Sequence, residues 1–228
     1  LNRRHAAERP FDSALAARMK SFETAFQMQQ AAPEAFDLSD EPQHIRELYG
    51  IDRKLKGPGA DFAWQCLVAR RLAERGVRFI ELIDTGSRPN WDSHGEMKEH
   101  ADLAYNVDQP PAALISDLRQ RGMLDDTIVL WATEFGRTPT REGKNGRGHH
   151  RDCFSVWLAG GGFKGGHVHG ATDEIGKYTV ENPVEVHDLH ATVLNQLGMD
   201  HEKLTFRHAG RDFRLTDVHG HVVKDLLA

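Results

Sequence analysis

Cysteine is scarce in this chain: two residues, Cys66 and Cys153, among 228. That excludes a disulfide framework, and neither cysteine forms a CxxC pair able to hold a zinc finger or run dithiol exchange. Cys66 falls in an apolar helical stretch and Cys153 at the start of an apolar strand, so both read as buried structural residues. No apolar run approaches the about 18 residues that a membrane-spanning helix requires. Basic excess is absent too, since 29 Lys and Arg face 34 Asp and Glu for a net charge of -5. A nucleic-acid partner normally asks for a basic face, so that class is disfavoured. The HExxH pattern is also missing, which removes support for a zinc peptidase or amidase. The chain opens at Leu1 without an initiator Met or an apolar signal core, and is expected to be a fragment or a processed product.

What is present is an apolar fraction of 39%, enough for a packed core, and an unusual 14 histidines, several beside Gly, Asp or Glu. Helical spacing of Leu15, Met19, Phe22 and Phe26 predicts a helix over 12–30, ended by Ala31-Ala32-Pro33. A short helical piece follows near 44–49. Phe62, Cys66, Ala69 and Leu72 share one face of a second helix over 61–75, stopped by Gly76. The β-branched and apolar stretch 77–83 reads as a strand. A long helix over 97–121, kinked near Pro110-Pro111, comes next. Strands are expected at 127–131, the plainest buried one, and at 154–158, and a last helix at 186–197. Strands alternating with helices predict an α/β fold with a largely parallel sheet, whose site lies in loops beyond the strands' carboxyl ends.

Three loops there carry metal-type donors. Asp92 and His94 sit together after the first strand, Glu134 stands at the end of the 127–131 strand, and His149 ends a Gly-rich loop. Divalent ions take carboxylate oxygens and, when softer, imidazole nitrogens. A buried Glu134 would be costly to desolvate without a cation or donors. Blander readings stand beside these: Asp92 as an Asx-turn before Gly95, and Glu134 as an ion pair with Arg137. His150, His167 and His169 read as surface or supporting residues, and His187, His190, His201, His208, His219 and His221 as structural. The Gly160–Gly166 stretch opens no helix, so it reads as a turn-rich hairpin connection rather than a phosphate cradle.

Taken in order, Trp91-Asp92-Ser93-His94, Glu134-Phe135-Gly136-Arg137-Thr138-Pro139, Gly146-Arg147-Gly148-His149, Leu158-Ala159-Gly160-Gly161-Gly162 and Asp188-Leu189-His190-Ala191-Thr192 resemble a bacterial sulfatase-like family. That family is catalogued as a domain of unknown function, number 1501, inside the alkaline phosphatase superfamily, and the resemblance spans essentially the whole chain. It implies a three-layer α/β/α fold with a largely parallel central sheet, here incomplete. Residues 1–228 would be the C-terminal portion of one domain, with its N-terminal half absent and a possible partner. It also implies a divalent metal ion (zinc, calcium or manganese) held by Asp92, His94, Glu134 and His149, with Asp188–Thr192 as a structural helix start. Two departures matter. Phe135 stands where the superfamily has a ligand histidine, and neither an Asp-Gly-Gly element nor a nucleophile in a strand-to-helix elbow is present.

The activity so implied is metal-assisted hydrolysis of sulfate or phosphate esters, small-molecule or polysaccharide, with Arg137 as the oxyanion partner because its fork matches a tetrahedral oxyanion. The alternative is a catalytically inactive member that binds a partner or a carbohydrate. The resemblance further implies a periplasmic or extracytoplasmic location. Half a central sheet would expose unpaired strand edges, so the isolated chain is expected to be unstable without its N-terminal part.

Overall fold

Helix formation in the first half of the chain follows from apolar spacing and good caps. The structure, a computed structural model, describes residues 13–56, 61–84 and 91–228. Helix α1 spans Ser13–Phe36, α2 Gln43–Tyr49, α3 Phe62–Glu74, α4 His100–Val107 and α5 Gln109–Gln120. The Asp61 carboxylate caps α3 by accepting the Trp64 N–H at 2.9 Å. Ile45, Tyr49, Phe62, Leu67, Leu114 and Leu118 pack these helices into one core.

An ionic box locks the same helices together. Arg70, 3% exposed, reaches Glu41 and Glu74 at 2.6 Å each and Asp117 at 3.1 Å. The Tyr49 hydroxyl donates to Asp117 at 3.1 Å, Arg121 bonds Asp117 and Glu74, and Arg71 also grips Glu41. Burial opposes ionisation of Glu41, but hydrogen bonds from Arg71 and Arg70 outweigh it and lower its pKa.

Several sequence expectations are corrected here. Helix α1 runs through Pro33 instead of ending before it. Pro33 lies in the last turn and its own carbonyl still accepts the Asp37 N–H at 3.0 Å. Most of α1 faces solvent, where a carbonyl deprived of its N–H partner meets water. The single helix expected over 97–121 is a 3₁₀ turn, Met97–Glu99, then α4 and α5, because the ring-locked Pro110 and Pro111 occupy the first turn of a new helix. Residues 77–83 form no strand, since no partner strand lies beside them among the described residues, and Phe79 is 83% exposed.

The strands that do form pair antiparallel in twos. β1, Val129–Trp131, pairs with β4, Trp157–Ala159, which starts three residues later than expected from the sequence. β1 is half-buried: Val129 and Trp131 face the helical core while Leu130 is 41% exposed. Trp131 and Trp157, opposite each other in register, stack with ring centroids 5.9 Å apart, and Trp131 meets Phe62 of α3 edge-on. β2, Gly136–Glu142, and β3, Gly146–His150, form a bulged hairpin where a loop was expected. β5, Ala171–Thr172, pairs with β6, Thr179–Glu181, and β7, Thr205–His208, with β8, Arg211–Arg214. No parallel sheet is present among the described residues. The Gly160–Gly166 stretch joins β4 to β5, which belong to different sheets, so it is a connector and not a hairpin turn.

Helix α6, Val186–Gln196, carries the Asp188–Thr192 element in its first two turns, with Asp188 completing a capping box at its start. Asp188 accepts the backbone N–H of Glu185 at 3.0 Å and of His221 at 2.7 Å; fully buried Thr192 accepts that of Val223 at 2.9 Å. Together they strap the chain's last residues to the helix. Cys66 is buried, as expected, whereas Cys153 is partly exposed.

Candidate metal centre

The site is built where the β2–β3 hairpin docks against residues 91–96. Main-chain bonds make the junction: Asn145 N–H to Gly95 O at 2.9 Å and Arg147 N–H to Ser93 O at 3.3 Å. Gly146 sits between them, buried, and a Cβ there would overlap the His94 carbonyl, so only glycine allows this approach. Ser93, itself buried, closes the loop by donating its hydroxyl to the Glu96 carbonyl.

Docking brings Asp92, His94 and His149 together, with one ligand atom from each within 4.8 Å of the others. Asp92 Oδ1 accepts from His149 Nε2 at 2.8 Å and from Arg137 at 2.6 Å, and lies 3.3 Å from His94 Nδ1. The hydrogen bond from His149 and then the Arg137 guanidinium hold the Asp92 carboxyl down at about 2. The carboxylate is thus committed to side chains from β2 and β3, not to an Asx-turn. Its side chain is 60% exposed, so the cluster opens directly to solvent.

Glu134 is not drawn into this cluster. It is exposed, so the desolvation argument for it fails, and its carboxylate accepts from Thr133 at 3.0 Å. Nor does Glu134 pair with Arg137, which chooses Asp92. Its own backbone N–H, then Thr133, lower its pKa, with smaller contributions from the charges of Arg137 and His149. Glu134 therefore borders the site without touching it. Arg137 also donates to the carbonyls of Arg147 at 3.3 Å and Trp91 at 3.4 Å.

Further residues complete the surroundings, among them His100 and Asp84, which were not singled out from the sequence. The Trp91 indole donates to Asp84 at 2.6 Å, and His100 donates to the Trp91 carbonyl at 3.0 Å while packing its ring edge-on to the indole. The available signal was the position of His100 at the start of a helix just after the Asp92–His94 loop. Phe135 lies against the His149 imidazole, ring centroids 4.0 Å apart. His150 is buried, not superficial, and donates to the Lys177 carbonyl at 2.7 Å on the far side of β3. His201 is buried against Thr216.

One carboxylate and two imidazoles suit a borderline-soft divalent ion. Around a tetrahedral ion at roughly 2.1 Å, ligand atoms stand roughly 3.4 Å apart. The three ligand atoms already lie within 4.8 Å of one another, and an ion would replace the proton that now bridges His149 and Asp92.

Residues 1–227 match the model of a family described as a protein of unknown function, DUF1501. The chain belongs to that family. No curated protein and no solved structure matches it significantly.

Proposed function

We propose that the protein is a metal-dependent hydrolase of sulfate or phosphate esters, of the sulfatase-like type, with its divalent ion held by Asp92, His94 and His149. The observation that carries this reading is the convergence of the three side chains from two separate segments on one open face, with a guanidinium on the same carboxylate. Two imidazoles favour zinc over manganese and disfavour calcium, which prefers an all-oxygen set. Glu134 borders the cluster and is the candidate fourth donor. When bound, the ion supplies Lewis-acid polarisation of the ester oxygen. Arg137 receives the oxyanion, matching two of its oxygens with parallel N–H donors. The Ser93 hydroxyl donates to the Glu96 carbonyl, and none of the described serines is assigned as the nucleophile.

The wider architecture belongs to the same proposal. Helices α3 and α5 cover one face of β1 while Leu130 leaves the other open. That arrangement suits an α/β/α domain in which further, parallel strands and a second helical layer join β1. An N-terminal half of the same domain would supply them, and a periplasmic or extracytoplasmic location goes with this reading.

Phe135 favours one competing reading, a metal-binding member without turnover, because its ring fills the space beside His149 where another ligand would stand. The test is metal analysis of the purified protein and of Asp92→Ala and His149→Ala, followed by assays with aryl sulfate and aryl phosphate. Loss of metal in both variants is expected. Unchanged metal content in both ends the proposal, and metal binding without hydrolysis of either ester selects the non-catalytic reading.

A further inference from the structure

We infer that cation binding and oxyanion capture at this site are coupled through Arg137, an inference that rests on the metal reading proposed above. The oxygen of Asp92 that faces both imidazoles is the atom that accepts the Arg137 guanidinium at 2.6 Å. Asp92 Oδ1 therefore cannot keep the guanidinium and serve as a ligand without bringing two positive groups to one atom, where like charges repel. Arg137 is the weaker claimant and is released.

Release does not remove the guanidinium from the site. The carbonyls of Arg147 and Trp91 still hold it, at 3.3 and 3.4 Å, on the rim beside the cluster. There, among the described residues, no other acid pairs with it, and Glu134, whose charge it feels, makes no ion pair with it. A tetrahedral dianion such as the sulfate or phosphate group of an ester supplies what is missing, in a geometry that a guanidinium fork matches. The cation thus creates the anion site by taking Asp92, and an anion on Arg137 makes Asp92 easier for the cation to take. Linkage requires the two effects to be equal in size.

Zinc titrated calorimetrically into the purified protein, in sodium sulfate or in sodium chloride of equal ionic strength and corrected for zinc–sulfate pairing in solution, reads the coupling without any turnover. Zinc is expected to bind roughly fivefold to tenfold more tightly in sulfate, the low end for coupled sites because this one is exposed. In Arg137→Gln the competitor for Asp92 is gone, so zinc binds more tightly in chloride than it does to the wild type, and the sulfate advantage disappears. Equal zinc affinity in both media for the wild-type protein overturns the coupling and leaves the metal site standing. A sulfate advantage that survives in Arg137→Gln overturns the role of Arg137. No zinc binding in either medium overturns the metal reading itself and the coupling with it.

Discussion

Asp92 Oδ1 stands 2.8 Å from Nε2 of His149, a contact across 57 positions of sequence. The contact exists because the hairpin turn lies flat on the 91–96 loop, and Gly146 is what lets it do so. Gly146→Ala is expected to push the loop off the hairpin and separate His94 and Asp92 from His149. Zinc affinity should then fall about tenfold or more, the size of effect seen when the supports of a metal site are disturbed. Calorimetric titration that finds wild-type affinity in the variant contradicts this account of the junction.

The ionic box around Arg70 makes a larger claim on stability. Arg70→Met leaves Glu41 and Asp117, both almost wholly buried, without their shared cation. Removing one partner from a buried ionic group costs about 3–5 kcal/mol. Urea unfolding of the variant should show that loss, and a change below about 1 kcal/mol would mean that water or neighbouring arginines replace Arg70.

The same box gives a pH dependence with a definite sign. Against burial, hydrogen bonds from Arg71 and Arg70 leave the Glu41 pKa below its ordinary 4.5. A depressed carboxylate stabilises the fold fully above its unfolded value and loses that contribution as pH falls through the lower folded value. Thermal unfolding is therefore expected to be insensitive to Glu41 at neutral pH and to drop in midpoint below about 4.5. Glu41→Gln should lower stability at pH 7 and flatten the acid limb. A variant with an unchanged acid limb would assign the effect to other carboxylates.

Burial raises the Cys66 thiol to about 12 and leaves it without thiolate at ordinary pH. Cys66 should resist a disulfide reagent at pH 8 and react fully once the protein is unfolded in guanidinium. Cys153, partly exposed, serves as the internal comparison. Fast reaction of both thiols in the native protein would mean that the core between α3 and α5 opens readily.

Much of the site could be read from residue types, and less of the fold. Asp92, His94, His149 and Arg137 were legible as an ordered set placed beyond apolar segments, none of them specific alone, and the structure brings these four together. The burial of Glu134 was misjudged because its place after an apolar stretch implied it, whereas the chain turns outward there. Helices α3 and α6 were legible from apolar spacing and end signals. The stretch 77–83 has strand composition, but a strand depends on a partner, and partnership is not written in local sequence. The Gly-rich run before His149 signalled a loop because glycine is poor in strands. Here two of those glycines, Gly146 and Gly148, are buried at the close approach of β3 to its neighbours. The parallel sheet expected from alternating elements remains part of the proposal, since the described strands pair antiparallel.

The seam between hairpin and loop is made of peptide groups: the amides of Asn145 and Arg147 on one side, the carbonyls of Gly95 and Ser93 on the other. Substitutions at 145 and 147 that keep the amide are therefore expected to leave the gap between aspartate and histidines in place. Proline at either position is another matter, because it deletes the amide itself. What sets this spot is a backbone dimension, with glycine required at 146 and side-chain identity at the tips that reach across the seam.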